Sequence, residues 1–327
     1  MEFRAFATLL IAPACLIRHL SLAIVIVPAW LSGPALAVDI NQHGLTGSWY
    51  NPAATGQGVE IEVYQDAIAP GVGYLQGSWA TFAVGWETGQ RWYTFGGTVQ
   101  TGQSGATFTL FENVGGGKFN APPATQSTPI GTVVLTFLDC SIASMKYQDV
   151  LWDRHWGPFS QTMPLVRLTS NVTCSDDGAS RPDIQFSYSG NWFDPAIPGQ
   201  GLFVELNPVA DVLFVVWYTY SRDGALTDAE EEVQRWYTGL GALVPSMSGL
   251  GVTLYETTGG VIGGSPDSAF TVRTQTVGTA TATFFGCENA QWTFNFTAGS
   301  NAGASGTVNL SRVGPAPPGC DFNSRAH

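Results

Sequence analysis

Short runs in which apolar and polar residues alternate, broken by Gly, Pro, Asn or Asp, occupy most of the chain beyond position 47. Alternation with a period of two marks strands that bury one face. The clearest run sets Trp292, Phe294 and Phe296 between polar residues. A turn rich in Gly and Ser follows at 298–306, and Val308 and Leu310 resume the pattern. Eight such runs lie in the first half, at 47–51, 58–64, 74–82, 90–97, 105–113, 131–138, 142–148 and 161–169, and a similar number follows. No segment carries a convincing amphipathic helix, so the pattern predicts an all-β protein.

The runs are written twice. Gly47-Ser48-Trp49-Tyr50-Asn51-Pro52 returns as Gly190-Asn191-Trp192-Phe193-Asp194-Pro195, and Gly56-Gln57-Gly58 returns as Gly199-Gln200-Gly201. Gln90-Arg91-Trp92-Tyr93-Thr94 returns as Gln234-Arg235-Trp236-Tyr237-Thr238, and Thr109-Leu110-Phe111-Glu112 as Thr253-Leu254-Tyr255-Glu256. The period far exceeds the ~20–50 residues of a solenoid unit, so it marks a duplicated domain. Two repeats are predicted, 44–174 and 186–320, joined by a linker at 175–185 that holds Asp176, Asp177, Gly178 and Pro182. Antiparallel strands with short connections favour an up-and-down barrel in each repeat, because closure removes exposed edges. A β-sandwich is the alternative.

Gly47-x-Trp49 and Gly190-x-Trp192 on the first strands, with Arg167 and Arg312 on the last, resemble the calycin arrangement of lipocalins and avidins. The resemblance implies a last-strand Arg that crosses the first-strand Trp and closes a barrel. Trp49, Arg167, Trp192 and Arg312 are therefore read as structural, through cation–π contacts worth roughly 0.5–2 kcal/mol. Asn51 matches the avidin residue that contacts biotin, but Asp194 replaces it in the second repeat and the serine expected nearby is missing from both, so biotin is not implied. The whole repeat, with its GQG, RWYT and TLFE motifs, more closely resembles a group of uncharacterised bacterial secreted proteins, a likeness that implies no activity.

Composition then narrows the compartment. Charged residues make up 12% of the chain against a typical ~25%. With 39 glycines and 12% aromatics, this suits an extracellular β protein. Arg4, Arg18 and His19 precede an apolar run at 20–31, and Ala35-Leu36-Ala37 is a small-x-small cleavage site. Residues 1–37 thus read as an export signal, with retention as an N-terminal anchor the alternative. The run falls short of the ~20 residues of a membrane span, so no stable span is expected after signal removal, and the mature chain is expected to be secreted or periplasmic. Cys140, Cys174, Cys287 and Cys320 fall one pair to each repeat, and repeat symmetry selects Cys140–Cys174 and Cys287–Cys320 among three connectivities. Each bridge is worth roughly 3–4 kcal/mol in the chain-entropy picture. Zinc is the rival reading, but there is no CxxC and His43, His155 and His327 are scattered, so neither metal nor cofactor is expected. A net charge of −12 makes nucleic acid and anionic membranes poor partners.

Recurrence between the copies sorts the candidate site residues. Glu62 and Glu205 hold equivalent places, and Glu62 faces away from Val59, Ile61 and Val63. If that apolar face points toward the other repeat, Glu62 points into the barrel beside Trp79 and Arg91 as an anchor for a polar ligand. A structural Glu–Arg pair or a solvent-facing residue is the alternative. Trp79, Trp92, Trp217 and Trp236 recur too, and such rings stack on sugars or cover apolar ligands; barrel core is the alternative. Trp92 and Tyr93 face opposite ways, so one of the two belongs to core or interface. Gln57, Gln200, Arg91 and Arg235 would fix a ligand's orientation. The acidic loop 223–232 lacks the spaced oxygen ligands of a calcium site. Catalysis finds no GxSxG, no HExxH and no free cysteine in the mature chain. Glu60 shares a face with Glu62, but Phe203 replaces it in the second copy. The expectation is an exported, non-catalytic binding protein with aromatic-lined clefts for a glycan or small amphipathic ligand. A structural or adhesive envelope protein, and an enzyme with its site in one repeat, are the alternatives.

Overall fold

A computed structural model describes residues 38–83, 89–114, 126–150, 159–176, 182–221, 234–244, 249–262 and 271–320. The export signal, the acidic loop 223–232 and part of the linker lie outside them. Among the described residues the alternating runs become sixteen strands. The first repeat holds β1 (Gly47–Tyr50), β2 (Gly58–Ala69), β3 (Val72–Phe82), β4 (Gln90–Gln100), β5 (Gly105–Val114), β6 (Gln126–Phe137), β7 (Ile142–Val150) and β8 (Phe159–Arg167). The second holds β9 (Gly190–Phe193), β10 (Gly201–Asn207), β11 (Val212–Tyr220), β12 (Gln234–Ala242), β13 (Leu250–Thr258), β14 (Arg273–Phe284), β15 (Asn289–Phe296) and β16 (Ser305–Arg312). Each set closes into an eight-stranded antiparallel barrel, β1 meeting β8 and β9 meeting β16. Each barrel carries one disulfide, Cys140–Cys174 and Cys287–Cys320. No described helix is long and apolar enough to cross a membrane.

Both barrels are filled. Val59, Ile61 and Val63 of β2 pack in the first lumen with Trp79, Tyr93 and Tyr147. Trp217, Tyr237, Trp292 and Phe296 do the same in the second. An eight-stranded barrel is just wide enough for its own side chains, so the apolar face of β2 turns inward and Glu62 turns outward. This reverses the inward Glu62 expected from sequence. The outer faces of β2–β4 and β10–β12 instead meet each other, and Phe82, Trp92, Phe203, Val216, Tyr220 and Trp236 form a third apolar cluster between the barrels.

One end of each barrel is tied by its last-strand arginine. Arg167 lies 4.8 Å from the centroid of Trp49 and donates to the carbonyls of Gly44, Thr46 and Cys140. Arg312 lies 4.7 Å from Trp192 and donates to Ser187, Ser189 and Cys287. The short first strand then leaves a gap in each ladder. The Ser48 carbonyl accepts from Leu168, yet its N–H, pointing the same way, goes to Glu205 Oε2 of the other barrel at 2.9 Å. Reciprocally, the Asn191 carbonyl accepts from Val313 while its N–H goes to Glu62 Oε2 at 2.6 Å. Glu62 also pairs with Arg312 at 3.0 Å and accepts from Tyr64; Glu205 accepts from Thr169. A second reciprocal set joins β4 to β12. Gln90 bonds the N–H and carbonyl of Trp236, and Gln234 bonds those of Trp92.

The glycine of each GxW motif now has a physical reason. Gly190 has φ +137, and a Cβ there would sit 2.1 Å from Glu62 Oε1. Gly47 has φ +150, and a Cβ would sit 2.6 Å from Arg167 Nη1. Gly190→Ala should therefore destabilise by at least the roughly 1–3 kcal/mol of backbone strain, since the pinned Glu62 carboxylate cannot step aside. Glu62→Ala should cost about 3–5 kcal/mol by leaving Arg312 buried without its counter-charge. Urea unfolding of both variants measures this, and changes below about 0.5 kcal/mol would contradict the assigned contacts.

Candidate functional site

Where the outer faces of the barrels meet, a cleft of about 330 Å³ opens. Strands β3 and β4 supply Gln76, Ser78, Trp92 and Thr94, and β5 adds Asn113. The other wall comes from Asn191, Phe193, the turn 199–202 and Tyr218 of β11. Gln76, Ser78, Trp92, Thr94 and Tyr218 face outward from their barrels because their in-facing neighbours Leu75, Trp79, Tyr93 and Trp217 fill the lumens. Several are held in place. Trp92 donates its indole N–H to the Thr219 carbonyl, 3.3 Å away, and its ring lies 5.6 Å from that of Tyr218. Asn113 donates to Thr94, Asn191 donates to Glu62, and Gln200 accepts from Thr219.

Beneath the cleft floor lies a carboxylic acid. Glu60 pairs in register with Ser78 across β2 and β3, is 3% exposed, and accepts a hydrogen bond from the Tyr218 hydroxyl. Burial pushes its carboxyl from the usual range up to about 8 against that hydrogen bond, and the charge of Glu205 adds to the rise. The equivalent half of the interface is built differently. Register places Phe203 opposite Val216 and Glu205 opposite Phe214, where the first barrel has Glu60 opposite Ser78 and Glu62 opposite Gln76. Tyr218, opposite Gly201, corresponds to Ala80, opposite Gly58. Polar residues around the cleft thus answer to packed apolar ones across the interface.

The residues singled out by recurrence are distributed over three places. Trp79 and Trp217 are lumen core. Glu62, Glu205 and Trp236 belong to the reciprocal interface, where Trp236 donates to the Thr81 carbonyl and packs on Phe82. Gln57 bonds Thr81 and reaches the Val261 carbonyl of the second barrel. Arg91 and Arg235 are partly buried and donate to the carbonyls of the glutamines beside them. Only Trp92 and Gln200 of that set line the cleft. Gln76, Ser78, Thr94, Asn113, Asn191 and Tyr218 join them. The signal that marks several of these is a difference in polarity between the copies, the opposite of recurrence.

Among the described residues, no group of three or more His, Cys, Asp or Glu is placed to hold a metal. No protein-family model matches the chain, and no curated protein matches it.

The raised Glu60 predicts a pH dependence with a definite sign. Between about pH 4.5 and 8 the unfolded chain gives up a proton that the folded chain keeps, so stability falls as pH rises through that window. His43, lowered to about 4 by burial, acts oppositely, and its contribution is lost as pH falls from 6.5 toward 4. Glu60→Gln should therefore gain on the wild type by more than about 1 kcal/mol between pH 5 and pH 9. Urea unfolding at the two pH values checks this; a constant difference between the proteins would refute it.

Proposed function

We propose that the chain is an exported, non-catalytic binding protein that takes one small amphipathic ligand, such as a sugar unit, in the cleft between its barrels. The observation that carries this reading is the broken equivalence of the interface. One half is closed by apolar packing around Phe203 and Val216. The other keeps a cleft of about 330 Å³, a volume suited to a small molecule. Trp92 and Tyr218, one from each wall, stand beside uncharged hydrogen-bonding groups on Gln76, Ser78, Thr94, Asn113 and Gln200. Such a surface stacks on the flat face of a ligand and orients its hydroxyls. Export is supported by the two disulfides and by the signal-like start of the chain.

Binding is favoured over catalysis because Glu62 and Glu205 are already engaged by Arg312, Asn191, Ser48 and Thr169. Glycoside cleavage would need a second carboxyl free to act beside Glu60. Filled lumens also move the site away from the barrel interiors, where a lipocalin-like resemblance would put it.

The second repeat shows which residues fill such a space. Gln76→Phe combined with Ser78→Val converts the cleft wall to its apolar counterpart. A thermal-shift screen against sugars, amines, lipids and peptidoglycan fragments should find a ligand that raises the melting temperature of the wild type. The double variant should lose that shift while melting no lower than the wild type without ligand. A shift that survives the double variant would place the ligand elsewhere.

A further inference from the structure

Resting on the cleft as the ligand site, we propose that its ligand carries an amine or ammonium group, held against Tyr218 and Trp92 with Glu60 as the buried counter-charge. Three carboxylates are buried between the barrels, and they are not equally served. Glu62 has Arg312 at 3.0 Å and the N–H of Asn191, which oppose the rise that burial imposes on its carboxyl. Glu205 has the Ser48 N–H and the Thr169 hydroxyl, and its charge reaches Arg167. Glu60 has the hydroxyl of Tyr218 and, among the described residues, no cation within ion-pair distance. A buried carboxylate without a counter-charge is costly and keeps its proton instead.

The position of Glu60 makes a ligand the natural source of that charge. Its register partner Ser78 and its hydrogen-bond partner Tyr218 both line the cleft. Tyr218 has one hydroxyl hydrogen, and it is committed to Glu60. The phenol oxygen is left only as an acceptor, so it calls for an N–H donor from the ligand. Trp92 and Tyr218 present neighbouring rings, and a cation over such faces is attracted by their quadrupoles. Glu205, the other charged group that acts on Glu60, is negative and favours a cation as well. The pair is present or absent as a unit: Phe203 and Ala80 stand at the two equivalent positions.

Binding then exchanges one positive charge for another. The ammonium group enters, the Glu60 carboxylic acid ionises, and its proton leaves to solvent. Because the empty site holds that proton up to about pH 8, affinity should rise about tenfold per pH unit below that value and then level off.

The test is isothermal titration calorimetry of the purified chain with matched probes, phenethylamine against 2-phenylethanol across the pH range and glucosamine against glucose at its acid end, where the sugar amine is protonated. Runs from about pH 6 to about pH 8, in buffers of different ionisation enthalpy, read the protons released. The cationic member of at least one pair should bind at least about tenfold more tightly than the neutral one, with one proton released per ligand below pH 8. Glu60→Gln should abolish the preference and the pH dependence. Proton release is read on the wild type, so the outcome stands even if that variant folds poorly. Equal binding of both members without proton release would overturn the ammonium assignment and leave the cleft reading standing. Binding of a cationic probe that the Gln76→Phe, Ser78→Val variant retains would overturn the assignment by placing the probe outside the cleft. No binding by any probe would overturn the ammonium assignment, and absence of any hit in the wider thermal-shift screen would then remove the cleft reading as well.

Discussion

Two backbone N–H groups organise this molecule. A barrel closed by a four-residue strand runs out of ladder partners at Ser48, and its duplicate does so at Asn191. A buried amide without an acceptor costs about 1–3 kcal/mol, and neither barrel supplies one from its own last strand. Each receives a carboxylate from the other. That requirement explains why Glu62 and Glu205 point away from their own lumens, why glycine precedes each Ser48 or Asn191, and why an arginine already engaged in closing the barrel lies beside the carboxylate. The closure of one repeat is thus completed by the other, and the two sheets are bound by main-chain chemistry as well as by apolar area.

Around these contacts the duplicated residues behave as a pair of interlocking hands, with Gln90 and Gln234 each reading the backbone beside the other repeat's tryptophan. The equivalence fails around the cleft. There the sequence gives up Phe203, Val216 and Phe214 for Glu60, Ser78 and Gln76, and packing gives way to a polar cleft. Such an exchange sacrifices apolar burial, and it leaves an acid whose proton is held by its surroundings. Groups of that kind gather at places with a chemical task.

The fold was legible because its signals are local. Alternation in runs such as Trp292, Phe294 and Phe296 foretells strands, repetition foretells two barrels, and the spacing of Cys140, Cys174, Cys287 and Cys320 foretells the bridges. The direction in which β2 faces was not legible in the same way. Alternation separates Glu62 from Val63 but does not say which face is the lumen; that depends on how eight strands close and on a partner surface far away in sequence. Recurrence drew attention to Glu62, Trp79, Trp92 and their copies, most of which lie in the lumens or between the barrels. Duplicated positions are kept alike where both copies do the same work, and here that work is filling lumens and joining barrels. Gln76 and Tyr218 carry no motif and look ordinary on a strand, so their role emerges only when each is set against Phe214 and Ala80.

Fusion of the two repeats in one chain has a consequence for stoichiometry. Two identical subunits related by a two-fold axis must present the same residues on both halves of their contact, so any opening gained by one half is gained by the other. Within a single polypeptide the halves are encoded separately and are free to diverge. One can pack closely while the other stays open. The unequal pair Glu60–Ser78 and Phe203–Val216 is a difference that a symmetric dimer has no means to encode.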